Sequence, residues 1–251
     1  FSAFDPDIVK NIELYKSTIP EKYGGRLSSV LDVTDREGNK KKFTGSAGIG
    51  LLTSRLAVEG PIIKDNNSFI FGGRTTYSDW LLHLLPEAYK HSSASFYDLN
   101  LGISHQINDK NTIYLMGYWS QDKFRLNSDT AYAYSNKNAN IKWKHNFSNK
   151  LYSVIMAGVD HYDYSITSSA NPVDAYRLKF GVNQSNFKTD FTYYPNPKHT
   201  VDFGISGIYY KLNPGDEEAN GEKSLVISQV VPQEQALESA LYIGDKYDVT
   251  Q

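Results

Sequence analysis

Long runs in which every second residue is apolar set the strongest limit on how this chain can fold. In one run Leu99, Leu101 and Ile103 alternate with polar or small residues, and similar runs cover 138–147 and 200–209. A period of two places the apolar side chains on one face of an extended strand. Ordinary strands have about 5–6 residues, whereas a strand that crosses a membrane needs roughly 9–11. The runs are at least as long as the second value, so the pattern predicts membrane-spanning strands.

Two kinds of connection alternate along the chain. Short polar turns are expected at 64–67, 108–111, 148–150 and 195–199, and longer connections at 79–94, 126–134, 167–174 and 213–235. Short turns at one end of the strands and long loops at the other are typical of outer-membrane β-barrels. The predicted fold is therefore all-β, a portion of a transmembrane antiparallel β-barrel with about nine long strands. The expected strands are 44–62, 68–78, 95–107, 112–125, 135–147, 151–164, 174–194, 200–212 and 236–249.

One expected strand, 174–194, is irregular. Leu178 and Phe180 are apolar on even numbers, whereas Phe187 and Phe191 are apolar on odd numbers. A β-bulge near 183–186 would restore the face. A hairpin turn at the same place is the alternative and would add a strand. Single-chain bacterial barrels contain an even number of strands, so nine strands lead us to expect a portion of a larger protein.

The composition excludes several classes of function. The 26 Lys and Arg residues face 28 Asp and Glu residues, and a net charge of -2 argues against nucleic acid as a partner. The chain has no cysteine, and its six histidines include no pair at metal-ligand spacing. Motifs of serine hydrolases, zinc proteases and P-loop proteins do not occur. We therefore expect no catalytic residues, no metal and no cofactor, and the protein is not expected to be an enzyme.

Residues 7–33 resemble the end of the plug domain of TonB-dependent outer-membrane receptors. The stretches are DIVKNIELYK at 7–16 and YGGRLSSVLDV at 23–33. The common family form has an IExIEVLKG strand, a YG turn and a GGVINI strand, and the variant in this chain is similar to receptors of the Bacteroidetes. LLTSRLAVEGPI at 51–62 resembles the first barrel strand of the same group, and YYPNPKH at 193–199 resembles one of its later turns.

The resemblance implies both an organisation and a function. Residues 1–37 would form the C-terminal part of a plug domain, and 38–251 the N-terminal part of an outer-membrane β-barrel, which in the family has about 22 strands and a plugged lumen. It implies energy-coupled uptake of a scarce, bulky nutrient at the bacterial outer membrane. The implied partners are the TonB–ExbB–ExbD complex, outer-membrane lipid and an unknown nutrient ligand. Neither the nutrient nor a surface lipoprotein over the loops can be identified from the sequence.

Two other classes of protein are alternatives to this function. A barrel without transport, such as an adhesin, a structural protein or an embedded hydrolase, remains the alternative. A soluble all-β binding module is disfavoured by the strand length and by Trp143, Phe147 and Phe203 on the expected lipid face.

Charged residues expected inside the lumen are the candidate site residues. Arg55 and Glu59 have the opposite parity to the apolar residues of their strand, and unpaired buried charge is costly. The candidates for plug–barrel or lumen contacts are Glu13, Arg26, Arg55, Glu59 and Arg74. Two roles stay open for these residues: salt bridges that hold a plug, and contacts to a substrate. The stretch 160–164 is expected near the long loops, where it could touch a ligand or form the barrel rim.

Overall fold

The computed structural model describes residues 5–25, 28–82, 84, 86, 92–125 and 130–249, and it contains two antiparallel sheets. The small sheet pairs β1 (Val9–Tyr15) with β2 (Val30–Asp35), and a single 3-10 turn at Glu21–Tyr23 lies between them in the chain. The large sheet contains eleven strands among the described residues. They are β3 (Thr44–Ile49), β4 (Thr53–Ile63), β5 (Asn67–Thr76), β6 (Ser93–Asn108), β7 (Asn111–Arg125), β8 (Ala131–Ser148), β9 (Leu151–Ser168), β10 (Tyr176–Tyr193), β11 (His199–Ala219), β12 (Gln229–Val230) and β13 (Glu234–Tyr247).

Consecutive strands of the large sheet are neighbours from β3 to β11, and β13 pairs with β11 beyond them. Nine of these strands have ten or more residues, from 10 in β5 to 21 in β11. Such lengths suit the crossing of a membrane. The predicted fold, part of an antiparallel barrel with about nine long strands, is therefore confirmed. Helix is almost absent from the described residues: α1 (Asp79–Leu82) has four residues, and none of the helices there is long and apolar enough to span a bilayer.

The first expected strand, 44–62, is wrong because it is a hairpin. β3 ends at Ile49, the chain turns, and β4 begins at Thr53. The backbone N–H of Gly50 donates to the carbonyl of Thr53 at 2.9 Å and closes the turn. The glycines in this stretch lower its preference for an uninterrupted strand, and the continuous apolar pattern on both sides of the turn concealed it.

The irregular strand β10 contains neither the expected bulge near 183–186 nor a hairpin. Its register with β9 is unbroken from Tyr176 to Tyr193. The one shift in its pairing with β11 lies between Lys179 and Gly181, where β11 carries an extra residue. Because the strand runs straight, the change of parity means that its apolar side chains move to the other face of the sheet.

Two of the long connections are shorter than expected. β8 already begins at Ala131, so the connection expected at 126–134 ends earlier. β11 continues to Ala219 and β13 starts at Glu234, while β12 pairs with Asp216 and Glu217. Residues 213–219 are therefore part of the sheet, although their composition of Asn, Pro, Gly and acidic residues is typical of a loop.

The register assigns every residue of the large sheet to one of two faces, because directly paired residues share a face. One face, named here the outer face, carries the apolar residues of the alternating runs. These are Leu99, Leu101, Ile103, Ile141, Trp143, Val201, Phe203 and Ile205. Many remain exposed, for example Ile205 at 49%. The opposite, inner face contacts residues of the segment 5–37, so the two faces meet different surroundings.

Candidate ligand-binding face

The inner face holds the segment 5–37 through ion pairs with β4. Glu59 accepts a hydrogen bond from the Arg36 guanidinium at 2.7 Å, from the backbone N–H of Asn39 at 3.0 Å and from Thr44 Oγ1 at 3.0 Å. Arg55 faces inward as well, and its guanidinium lies 3.5 Å from the Asp7 carboxylate. The Arg36–Glu59 contact is a charge-assisted hydrogen bond, one of the stronger kinds in proteins, whereas Arg55 and Asp7 form an ion pair. They attach both ends of the small-sheet segment to one strand.

An apolar contact lies beside these ion pairs. Ile8 is 2% exposed, and on the inner face Ala57 is 2% and Ile70 1% exposed. Gly72 faces Ile8 so closely that a Cβ at this position would lie 2.7 Å from Ile8 Cδ1. The absence of a side chain at Gly72 therefore lets the segment approach the sheet backbone.

Further contacts extend across the sheet. Tyr114 on β7 donates to Glu37 at 2.9 Å, and Lys188 on β10 donates to the backbone carbonyl of Lys22 at 2.8 Å. Burial acts to raise the pKa of Glu37, but the hydrogen bonds from Tyr114 and Lys40 outweigh it and leave this pKa below its usual value. Glu37 thus stays ionised at neutral pH and holds the phenol. The segment is docked on strands from β4 to β10 rather than on one edge.

The other candidate charges have different surroundings. Arg74 pairs with Asp98 of the neighbouring strand β6, with Nε at 2.8 Å and the terminal nitrogen at 2.7 Å from the same oxygen. Glu13 accepts hydrogen bonds from Asn11 at 2.7 Å and Tyr15 at 2.5 Å, both within β1. Arg26 lies outside the described residues. The structure thus brings Arg55 and Glu59 into contact with the segment 5–37. Arg74 bonds to Asp98 and also interacts electrostatically with Asp5 of that segment, whereas Glu13 bonds within β1.

Amide and carboxylate groups form a cluster on the inner face of β8, β9 and β10. Asp160 is its centre: one oxygen accepts from Asn138, and the other accepts from Asn186 at 2.9 Å. Asn140 donates to the Asn138 carbonyl at 3.0 Å, and Asn136 donates to Ser120 at 3.3 Å. These groups alternate with outward apolar residues, which is why they share one face. We name them the amide cluster.

Aromatic rings stack on the same face, nearer to the long loops. The Phe180 and Tyr164 rings lie 5.6 Å apart at an angle of 23°, and Tyr164 and Tyr134 lie 5.1 Å apart at 10°. Nearly parallel rings at these distances attract each other. This aromatic ladder of Tyr134, Tyr164 and Phe180 runs across three strands. It explains why the apolar residues of β10 change face at this level.

The stretch 160–164 divides between the two faces. Asp160 and Tyr164 belong to the amide cluster and the aromatic ladder, whereas His161 and Asp163 are on the outer face, 2.7 Å apart. The sequence indicated that this stretch lies near the long loops, but the ladder and the cluster as sets were missed. The one signal in the sequence was that Tyr134, Asn138 and Asp160 all have even numbers and so share a face. Only the register between the strands shows that they are neighbours.

The side chains of the amide cluster and the aromatic ladder have the chemistry to bind a ligand. Amide groups donate and accept hydrogen bonds, and tyrosine rings offer flat apolar surfaces with a polar tip. Along β10 the order is Phe180 of the ladder, Asn186 of the cluster and Lys188, which contacts the segment 5–37. A molecule arriving from the long-loop end would meet these three layers in this order.

Comparison with protein-family models and with curated proteins finds no match. Solved structures do match. The copper transporter OprC superposes with a TM-score of 0.76 at 8% identity, over 99% of this chain and 42% of that chain. BauA, the ferric preacinetobactin receptor of Acinetobacter baumannii, gives 0.71 at 12% identity, over 96% of this chain and 44% of its own. The ferripyoverdine receptor of the Pseudomonas aeruginosa outer membrane gives 0.72 at 11% identity, over 97% and 40%.

The match covers nearly the whole of this chain, which spans about two fifths of the length of the three solved structures. At identities of 8 to 12% the likeness concerns the fold. The resemblance to TonB-dependent outer-membrane receptors found in the sequence is thus confirmed for the architecture: the chain has the fold of part of such a receptor.

Proposed function

We propose that the complete protein is an outer-membrane receptor for energy-coupled uptake of a scarce, bulky nutrient. The observation that carries the proposal is the difference between the two faces of the large sheet. The outer face bears an apolar band, while the inner face holds the segment 5–37 by the pairs Arg36–Glu59 and Asp7–Arg55. A filled lumen inside a lipid-facing barrel is the arrangement of large outer-membrane transporters.

In this proposal residues 1–37 are the C-terminal part of a plug and 38–251 the first part of the barrel. The ladder and the amide cluster would receive the nutrient from the long-loop side. The TonB–ExbB–ExbD complex would then act on the plug, whose contacts with the sheet must be released for passage. No covalent chemistry is required of the protein. The names of the similar structures mention copper, ferric preacinetobactin and ferripyoverdine, so nutrients of these kinds are candidates.

The amide cluster and the ladder carry no lysine or arginine among their members, which constrains how they would hold a ligand. Recognition would rely on stacking and on hydrogen bonds to amides and to Asp160. Each stacked pair contributes about 0.5–1.5 kcal/mol. Removal of Tyr134 and Tyr164 together should therefore weaken binding by about tenfold.

The test uses the full-length protein in its native cell. A deletion strain is first grown under limiting iron, copper, cobalamin or single glycans, and the nutrient whose use is lost becomes the probe. Uptake of that probe, per receptor in the outer-membrane fraction, is then measured for Tyr134→Ala/Tyr164→Ala. The control is Tyr209→Ala, an exposed tyrosine of the outer face.

We expect the double variant to lose about tenfold in uptake at low probe concentration and the control to lose little. If the deletion strain uses every nutrient normally, the protein is a barrel without transport. If the double variant takes up the probe like the control, the ladder is not the receiving surface.

A further inference from the structure

The outer face changes character toward the long-loop ends of β7 to β10. In the middle of these strands it carries apolar residues such as Leu115, Ile141 and Phe187. Further along, the same face carries lysines and arginines, and the apolar side chains have moved to the inner ladder. The boundary lies near Val159, which is followed on this face by His161. In a membrane, this level of the strands would correspond to the boundary between the apolar bilayer interior and the lipid headgroups.

A groove lies on the outer face above that boundary. Its floor consists of small residues, Ala131, Ala133 and Ser165, and its volume is about 590 Å³. Two strands form its walls, with Lys123 and Arg125 on β7 and Arg177 and Lys179 on β10; we name these four the basic groove. The small side chains of the two central strands create the depression between the longer ones.

The groove is positively charged. Among the described residues that line it, four cations face one carboxylate, Asp163, which pairs with His161. Glu218 on β11 lies 2.5 Å from Lys179 and 3.7 Å from Arg177, so it partly neutralises one wall from outside. The residues of these ion pairs are all exposed, and ion pairs at the surface contribute little. The cations of both walls can therefore turn to a bound anion.

We propose that the basic groove binds a lipid of the outer leaflet whose sugar headgroup carries two phosphates. The proposal rests on the proposed function, because it requires this face to meet the outer leaflet. Arginine suits phosphate through paired N–H donors, and lysine binds it as a point charge. The apolar band directly below the groove would receive the acyl chains, which a free phosphate does not need.

The width of the groove favours two phosphates over one. β7 and β10 are separated by two strands, so the walls are roughly 14 Å apart, three times the spacing of neighbouring strands. A single phosphate of a glycerophospholipid can contact only one wall at a time. A disaccharide with a phosphate at each end reaches both, and its sugar rings would lie over the alanine floor.

The experiment measures lipid binding to the delipidated full-length protein in detergent by native mass spectrometry. The probes are bisphosphorylated lipid A, monophosphorylated lipid A and phosphatidylglycerol. The test variant replaces all four cations: Lys123→Gln, Arg125→Gln, Arg177→Gln and Lys179→Gln. The matched control replaces four exposed lysines of the short turns at the opposite ends of the strands: Lys64→Gln, Lys110→Gln, Lys150→Gln and Lys198→Gln.

We expect bisphosphorylated lipid A to bind at least tenfold more tightly than the other two probes, and the test variant to lose that advantage while the control keeps it. Two half-variants, Lys123→Gln/Arg125→Gln and Arg177→Gln/Lys179→Gln, cover the case in which the fourfold variant does not fold. Each should bind bisphosphorylated lipid A no better than the wild type binds the monophosphorylated form. Equal binding of all three probes, or equal binding by test and control variants, would overturn the proposal.

The outcome is separable from that of the proposed function. Binding in detergent does not depend on transport, and cell fractionation reports independently whether the protein is in the outer membrane. A protein that is absent from that membrane contradicts the proposed function. One that is present there and takes up its nutrient, but binds lipid A equally well with and without the four cations, contradicts the lipid site alone.

Discussion

Asp98 shows how the inward charges of this sheet are stabilised. Its side chain is 3% exposed and accepts two hydrogen bonds from Arg74 on one oxygen, and one from Asn100 at 3.0 Å on the other. A carboxylate this deeply buried needs such partners, because an uncompensated charge in a low-dielectric site is costly. The pair therefore acts as a link between β5 and β6.

Replacement of Arg74 by methionine should destabilise the barrel. The change leaves the Asp98 carboxylate buried without its cation, which costs about 3–5 kcal/mol. The measurement is the temperature at which the folded band of full-length protein is lost on a gel of samples heated in detergent. The control is Lys110→Met, an exposed turn residue with the same loss of charge. Equal melting of the two variants would mean that the pair contributes nothing beyond a surface contact.

The direction of single side chains could be predicted from the sequence, but their partners could not. The period of two assigned Arg55, Glu59 and Arg74 to one side of their strands, because parity is a local property. Which residue each one meets depends on register and on contacts between distant parts of the chain. Arg36 is an example: it was not among the candidate residues, and it binds Glu59.

At the scale of elements, β10 explains both what the alternation predicts and where it misleads. Parity reports which face of a strand is apolar, and we took a change of parity as a change in the strand. The strand is continuous, and the surroundings change instead: Phe191 on the outer face stacks on Phe203 at 5.1 Å, whereas Phe180 stacks on Tyr164 inside. The prediction of a single strand at 44–62 was wrong for the opposite reason, because the alternating pattern continues across the turn between β3 and β4.

A charge at Ile141 should test the apolar band on one strand. Ile141 is in the middle of β8 on the outer face and is 41% exposed. Arginine there should cost roughly 2–4 kcal/mol if the site lies at the bilayer midplane, and so reduce the amount of assembled protein. The matched control is Ser135→Arg, on the same face and strand but roughly 20 Å closer to the long loops. The measurement is the amount of each variant in the outer-membrane fraction. Equal abundance of the two variants would mean that this face does not meet lipid.

At the scale of the whole molecule, the segment 5–37 and the large sheet form one packed unit. Contacts reach from Arg55 on β4 to Lys188 on β10, and a Cβ at Gly244 on β13 would already meet the Glu21 carboxyl at 2.9 Å. The contacts of Tyr114 and Lys188 lie, along their strands, on the far side of the amide cluster from the ladder. In the proposed function, a molecule held by the ladder would pass only after some of these contacts have separated, and transport would be coupled to docking of the segment.

A disulfide between Ile8→Cys and Gly72→Cys should test that coupling. A Cβ on Gly72 would lie 2.8 Å from Ile8 Cγ1, so the two Cβ atoms can be at most about 4.3 Å apart, within the range that a disulfide requires. The chain has no native cysteine to compete. Oxidation would fix the segment 5–37 on β5 without altering the ladder, the amide cluster or the outer face. Uptake of the identified nutrient should then be lost, and a reductant should restore it.

Two measurements make that experiment decisive. The single variants Ile8→Cys and Gly72→Cys report the cost of each side chain, and they should import alike with and without oxidant. Binding of the nutrient to the oxidised double variant should stay near that of its reduced form, because the receiving surface is unchanged. Loss of uptake with binding retained identifies release of the segment as the step that transport requires. Normal uptake by fully cross-linked protein would mean that nutrient passes while Ile8 remains against β5, and the plug role of residues 5–37 would have to be abandoned.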